Sequence, residues 1–180
     1  MKATGIVRRI DDLGRVVIPK EIRRTMRIRD GDPLEIYTAG DGEVIFKKYS
    51  PIGELSAMAT QYVDVMVKCT EFPIVICDRD HCVAAAGTSK KEVLERRVTA
   101  WLEDIMESRK SFISVKDNPE GQPPLEGVDH KAVMVFPIIS AGDIAGAVVI
   151  LENDTKATPT DCDIKLTTVA AGFFGKQMEE

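Results

Sequence analysis

The sequence predicts a protein of mixed class, in which a small all-β unit with one short helix is followed by a larger α+β domain. Charge divides the 180-residue chain: residues 1–50 carry 11 Lys and Arg against 8 Asp and Glu, whereas residues 51–180 carry 13 against 21. The first part contains two pairs of short β-branched runs, and strand-like and helix-like segments follow one another in the second. We therefore predict a first domain at 1–50, a linker with a connecting helix at 51–71, and a second domain at 72–180.

The first unit contains a weak internal repeat. The run Gly14–Ile18 is echoed 28 residues later by Gly42–Phe46, and each copy follows β-forming residues and a turn. The Asp41-Gly42 pair is a strong hairpin signal. Pro19 fits the first position of a short helix that runs to about Met26. Two hairpins with a helix between them are the simplest description of this unit.

The basic residues of the first unit oppose the charge of the whole chain. Residues 1–29 carry nine Lys and Arg against three Asp and Glu, while the chain has a net charge of −5. A basic surface on an acidic protein favours binding to a phosphate backbone, although a solvated charged face has the same composition. The candidate DNA-binding residues are Arg8, Arg9, Arg15, Arg23 and Arg24. Arg9 is the weakest of them, because strand alternation places it on the face opposite Arg8.

The first unit resembles the AbrB-type swapped-hairpin DNA-binding domain of bacterial transition-state regulators. Thr4–Arg9, Gly14–Pro19, Ile22–Arg24 and the closing Lys47–Tyr49 occur in the order found in that family. The resemblance implies an intertwined homodimer, a swapped-hairpin barrel, that binds double-stranded DNA. It also implies DNA contacts by Arg8, Arg15, Arg23 and Arg24, with Arg9 at a basic site beside them. Independently, about 50 residues with exposed strand edges bury too little surface for a comfortable monomer.

A helix is predicted from about Glu54 to Lys68, after a break at Ser50–Gly53. Its apolar residues recur at heptad-like steps, at Leu55, Met58, Tyr62, Val65 and Cys69. Two interpretations stay open at this point. The helix either connects subunits or packs on its own domain, since two heptads are short for a coiled coil.

The second domain is predicted to be an antiparallel sheet with helices outside it. Its pattern contains two hairpins, a helical segment with a possible break, a short strand, a proline-rich loop and a capped final helix. In order, these are Phe72–Cys77 with Cys82–Ala86, Ser89–Arg109, Phe112–Val115, the loop 116–127, Val133–Ile139 with Ile144–Leu151, and the helix after Thr158–Asp161.

The segment Phe136–Ile150, with Pro137, Gly142 and Gly146, resembles the closing hairpin of a GAF domain. This resemblance implies small-molecule binding or dimerisation. With the first unit, the chain is similar to regulators of late sporulation genes, which implies an activator and repressor of transcription that forms a homotetramer through its C-terminal domains. We predict no cofactor and no metal, and the sequence identifies neither a small-molecule ligand of the GAF-like domain nor residues that would bind one.

Two other functional classes remain as alternatives. A GAF-type thiol enzyme, similar to free methionine sulfoxide reductases, would use Cys77 and Cys82 with Arg79 and His81 between them. Apolar neighbours favour ordinary packing of the four reduced cysteines, Cys69 and Cys162 included, so we predict no enzyme. An AbrB-type antitoxin would end in a disordered tail, whereas residues 51–180 are apolar and well patterned.

No apolar run approaches the length of a membrane span, and no charged-then-apolar leader opens the chain. We therefore expect a cytoplasmic, nucleoid-associated protein without a membrane partner.

Overall fold

The computed structural model describes residues 4–114, 121–155 and 157–179. The chain divides into two compact units, residues 1–49 and residues 50–180.

The first unit contains one short helix and one two-stranded antiparallel sheet. Helix α1 (Lys20–Thr25) starts directly after Pro19, whose φ of −58° suits a helix start. Strands β1 (Leu34–Thr38) and β2 (Val44–Lys48) pair antiparallel, with Leu34 opposite Lys48 and Thr38 opposite Val44. The predicted second hairpin is confirmed.

The two turns of the first unit have the same hydrogen-bonding geometry. In the first turn, Gly14 N–H donates to Asp11 C=O at 3.0 Å, and Asp11 N–H donates to Arg15 C=O at 3.0 Å. In the second, Gly42 donates to Ala39 at 3.3 Å and Ala39 donates to Glu43 at 3.0 Å. Gly14 and Gly42 have φ of +75° and +77°, which a side chain would strain. The sequence repeat therefore encodes a repeated three-residue turn with a left-handed glycine.

The first hairpin differs from the expectation. Its turn forms, but residues 4–18 make no strand ladder within one chain, although strands were predicted on both sides of the turn. A two-stranded hairpin without a third strand or a covering face is marginal, and of the two predicted hairpins only β1–β2 forms a ladder within the described residues. The side chains of residues 4–17 are exposed, and Val7, for example, is 85% exposed. Among the described residues of the first unit no apolar aliphatic or aromatic side chain other than Pro19 is buried.

The second unit is built on a five-stranded antiparallel sheet with the strand order β4-β3-β7-β6-β5. Its strands are β3 (Ile74–Asp78), β4 (Cys82–Ala86), β5 (Phe112–Ile113), β6 (Ala132–Ser140) and β7 (Asp143–Leu151). Its helices are α2 (Pro51–Glu54), α3 (Ser56–Met66), α4 (Lys90–Val93), α5 (Ala100–Ser108) and α6 (Asp161–Gln177). The predicted sheet with outside helices is confirmed, while Val115 and most of the first half of the loop 116–127 lie outside the described residues.

Helices cover both faces of this sheet. Along β3, Ile74 and Ile76 join the core under α3 and α6, whereas Val75 and Cys77 join the core under α4 and α5. This alternation follows from the two-residue period of a strand. Because both faces are covered, the strands are apolar on both sides rather than alternating between apolar and polar residues.

Helix α3 packs on its own unit, as one of the two interpretations predicts, and a role of its outer surface in connecting subunits stays a prediction. Its buried residues are Ala59, Val63 and Met66. The predicted heptad-like stripe lies beside this buried face and partly outward: Leu55 and Tyr62 are half-buried, and Met58, Val65 and Cys69 are exposed. The expectation that all four cysteines are packed inside is therefore wrong for Cys69 and also for the exposed Cys162.

Candidate nucleic-acid interface

The five candidate arginines lie in three local structures of the first unit. Arg8 and Arg9 are exposed in the extended segment before the turn, Arg15 closes the turn, and Arg23 and Arg24 are in α1. The structure thus gives each residue a place, and their joint contact with DNA stays a prediction.

Arg15 is held by the turn itself. Its Nε–H donates to Oδ2 of Asp11 at 2.8 Å, and its backbone N–H donates to Oδ1 of Asp11 at 2.7 Å. The backbone hydrogen bond and then the guanidinium of Arg15 lower the pKa of Asp11 from its ordinary value. The carboxylate is therefore ionised at neutral pH and faces the arginine as a charged partner.

Arg23 and Arg24 differ in their surroundings although they are neighbours in α1. The Arg23 side chain is half-buried and pairs through Nη1 with the carboxylate of Asp30, while its buried Nε atom has no hydrogen-bond partner among the described residues. Arg24 is exposed. Both residues are in the last turn of the helix, where positive charge is stabilised by the helix dipole.

Sequence reasoning missed the acidic partners Asp11 and Asp30. The Asp11–Arg15 spacing of four residues is a familiar signal only on helices, and here a three-residue turn brings the two residues opposite each other. Sequence spacing alone therefore carried no signal for this pair.

A cleft of about 500 Å³ lies in the second unit at the end of the sheet near the C-terminus of α3. Four acidic residues and one histidine contribute to its lining, namely Glu71, Glu92, Glu152, Asp154 and His130. The space between the sheet and α5 is filled by buried apolar side chains, Leu102 and Met106 among them.

The thiols of Cys77 and Cys82 face each other across β3 and β4 and are fully buried. The hydrogen bond with Cys82, followed by burial, raises the pKa of Cys77 well above its ordinary value. A nucleophilic thiol needs the opposite shift, because the thiolate is the reactive form. This environment is that of packed side chains rather than of a catalytic cysteine.

Within the described ranges, no group of three or more His, Cys, Asp or Glu side chains is arranged to hold a metal ion. Nor does any helix in the described part combine the length and apolar character that a bilayer crossing requires.

The two units together define the class of this protein as a transcription factor with an AbrB-like first unit and a GAF-like second unit. The family model described as "Stage V sporulation protein T C-terminal, transcription factor" matches residues 54–179. The chain belongs to this family. Stage V sporulation protein T of Bacillus subtilis (strain 168) is 48% identical over 182 residues, which cover 100% of both chains. The resemblance to sporulation regulators expected from the sequence is confirmed.

The two units also match separately. The transition state regulatory protein AbrB of Bacillus subtilis (strain 168) is 61% identical over 51 residues, which are 28% of this chain and 52% of AbrB. The model described as "Antidote-toxin recognition MazE, bacterial antitoxin" matches residues 7–53.

A solved GAF domain, from a phosphoenolpyruvate-protein phosphotransferase of Coxiella burnetii, matches with a TM-score of 0.52 at 17% identity. The match covers 69% of this chain and 82% of that domain. At this identity the likeness concerns the fold, and the expected GAF-like fold of the second unit is confirmed at that level.

Proposed function

We propose that this transcription factor binds double-stranded DNA as an intertwined homodimer of its first unit, through Arg8, Arg15, Arg23 and Arg24, with Arg9 beside them. The proposal rests on one observation. Apolar residues on both sides of the first turn, and Arg15 in that turn, are exposed in a single chain, and Pro19 is the one buried apolar side chain among the described residues of the first unit.

The apolar surface argues for the dimer. Ile6, Val7, Ile10, Val16 and Val17 flank the first turn and are all exposed in a single chain. The β2 residues Val44 and Phe46 and the β1 residue Ile36 are exposed as well. A second copy that pairs its strands with residues 4–18 would cover these side chains and satisfy the backbone groups at the same time. Exchange of hairpins between two chains, the swapped-hairpin barrel, does both.

The charges argue for DNA as the partner. The five arginines belong to the segment 1–29, whose nine basic residues face only three acidic ones. A dimer carries two copies of this segment and therefore twice its excess of positive charge. A phosphate-binding surface of this kind supplies affinity and register, while base contacts add sequence preference. The AbrB match of the same residues supports this assignment.

For the second unit we propose homotetramer formation through α3 and α6. Tyr62 of α3 stacks on Phe173 of α6 with ring centroids 5.2 Å apart. Beside this pair Val65 and Val169 are 64% and 62% exposed. These two helices thus present one apolar face on the outside of the unit, and two such faces can cover each other.

We further propose that the protein acts on nucleoid DNA in the cytoplasm, as activator or repressor according to the position of its site. We expect no cofactor, and buried side chains of the unit itself lie on both faces of its sheet. A small-molecule modulator would enter the cleft of about 500 Å³ rather than the filled core.

Two alternatives are weaker. The antitoxin hypothesis is supported by the MazE match at residues 7–53. However, residues 50–180 form a compact unit, whereas the toxin-wrapping tail of an antitoxin would be disordered. The thiol-enzyme hypothesis requires accessible thiols, whereas Cys77 and Cys82 are buried.

The proposal is tested by DNA binding as a function of salt. Arg24→Ala in the full-length protein is compared with Lys91→Ala, which removes the same charge from an exposed site in α4 of the second unit. If each Arg24 of a dimer neutralises one phosphate, the slope of log K against log salt falls by about 2 in Arg24→Ala. The slope for Lys91→Ala stays at the wild-type value, and circular dichroism and sedimentation stay unchanged for both variants. Equal slopes for the two variants would contradict the assignment.

A further inference from the structure

We propose that Asp11 is a positioning residue of the DNA-binding turn, whose carboxylate orients the guanidinium of Arg15 for contact with DNA. This inference rests on the proposed DNA binding by Arg15 and adds a residue of the opposite charge to it.

The carboxylate of Asp11 engages only one side of the Arg15 side chain. Oδ2 accepts the Nε–H of Arg15 at 2.8 Å, and Oδ1 accepts the backbone N–H groups of Leu13 at 3.1 Å and Arg15 at 2.7 Å. An arginine has five N–H donors, of which four are on the two terminal nitrogens. Those four make no hydrogen bond to a described residue, and the side chain is 70% exposed. The terminal edge is therefore presented outward for a phosphate or a base, while Nε fixes its direction.

The second turn of the unit shows that the carboxylate is not needed to close such a turn. Ala39 occupies the position equivalent to Asp11, and Glu43 the position equivalent to Arg15. The same two backbone hydrogen bonds form there, although the alanine has no side-chain acceptor. Compared with Ala39, Asp11 adds three contacts: Oδ1 accepts the backbone N–H groups of Leu13 and Arg15, and Oδ2 accepts the Nε–H of Arg15. The last of these holds the guanidinium, and the backbone turn closes without any of them in the second copy.

A negative charge at this place is unfavourable for DNA binding unless it has such a role. The turn carries two acidic residues, Asp11 and Asp12, next to the basic surface. Asp12 is exposed and makes no hydrogen bond or ion pair to a described residue. Asp12 therefore provides a matched control with the same charge in the same turn.

The experiment compares Asp11→Asn and Asp12→Asn in the full-length protein. The probes are a duplex selected from random sequence by the wild-type protein and poly(dI-dC) as non-specific DNA. Loss of one negative charge alone should tighten binding of both probes by about twofold, from the Coulomb term at roughly 10 Å in water. We expect this for Asp12→Asn. For Asp11→Asn we expect binding of the selected duplex to weaken by about tenfold, the scale of one well-formed arginine contact to a base.

A double-mutant cycle separates positioning from any general effect on the turn. In an Arg15→Ala background, Asp11→Asn has no guanidinium left to orient, so it should tighten binding like Asp12→Asn. Asp11→Ala, which copies the residue found in the second turn, gives the same comparison if the asparagine variant folds poorly. Circular dichroism and thermal melting confirm the fold of each variant.

Three outcomes would overturn the inference. Tighter binding of the selected duplex by Asp11→Asn, as by Asp12→Asn, would leave charge as the only effect. A loss in Asp11→Asn that persists in the Arg15→Ala background would assign the effect to the turn. Absence of salt-dependent DNA binding by the wild-type protein would overturn the proposed function first, and this inference with it.

Discussion

Asp163 is one of two buried polar side chains in the described part of the chain, the other being Thr167. It forms a capping box with Thr160 at the start of α6, and its Oδ1 accepts the hydroxyl of Thr70 at 2.6 Å. Burial raises the pKa of Asp163, but the hydrogen bonds from Thr160 and Thr70 outweigh burial, so that the pKa lies below its ordinary value. The residue thus joins the start of α6 to the segment after α3 in its charged form.

This pKa shift predicts a pH-dependent contribution to stability. A lowered pKa in the folded state means that the contribution is complete above the unfolded pKa of about 3.9 and is lost as the pH falls through the folded pKa. Asp163→Ala removes the N3 member of the capping box and should lower the free energy of unfolding by about 1–2 kcal/mol at pH 7, the usual scale of a lost helix-capping interaction. The difference from wild type should stay constant down to about pH 5 and shrink below about pH 4.

Urea unfolding at a series of pH values measures this difference. Asp161→Ala is the control, because Asp161 is exposed in the same first turn. A difference for Asp163→Ala that grows as the pH falls would contradict the assignment of the shift.

Residue-level contacts such as these were the part of the structure least accessible from the sequence. The Thr160 cap was predicted because a capping signal is local. The contact from Thr70 to Asp163 was not, because it joins residues 93 positions apart and depends on the packing of two helices. Asp11 and Arg15 were likewise not paired by sequence reasoning, since their contact depends on a turn geometry.

At the scale of elements, local patterns were sufficient wherever one feature decided the structure. The β1–β2 hairpin was predicted from Asp41-Gly42, and the final helix of the second unit from its cap and apolar spacing, whereas the short α2 fell in the predicted break at Ser50–Gly53. Helix α3 was harder, because it carries two apolar stripes. Periodicity does not tell which stripe faces the sheet, and the stripe with the small Ala59 does so because it allows close packing.

The outward stripe of α3 predicts a specific assembly surface with α6. Val65→Glu places a charge in the middle of the proposed face, where an unpaired buried carboxylate is costly. We expect the tetramer to dissociate to dimers in sedimentation at micromolar concentration. Stability of the isolated unit should change by less than about 0.5 kcal/mol, because the position is exposed within one chain.

Ala57→Glu is the matched control, since Ala57 is exposed on α3 but away from the apolar stripe. Dissociation by both variants would show that charge on the helix, rather than this face, governs assembly.

At the scale of the whole molecule, the two units differ in charge, and the start of the second unit is held by hydrogen bonds. The first unit is basic and the second is acidic, so DNA is attracted to one and repelled by the other. Ser50, the first residue of the second unit, donates its hydroxyl to Oδ2 of Asp78 at 2.8 Å and caps α2. Asp78 in turn accepts the backbone N–H groups of Asp80 and His81 in the β3–β4 turn. The entry to the second unit is thereby fixed to its sheet.

This division predicts that the second unit raises DNA affinity by joining two DNA-binding dimers. Residues 1–53 alone should dimerise and bind DNA weakly, whereas the full-length tetramer should bind a duplex with two half-sites roughly 100-fold more tightly, by effective concentration.

Val65→Glu supplies the decisive comparison, because it keeps the whole chain but removes the proposed face. Its affinity should equal that of residues 1–53 on the two-site duplex, and all three proteins should bind a single half-site equally. Gel-shift titration with both duplexes, alongside sedimentation, measures these affinities. Equal affinity of wild type and Val65→Glu for the two-site duplex would show that assembly of the second unit does not set DNA affinity.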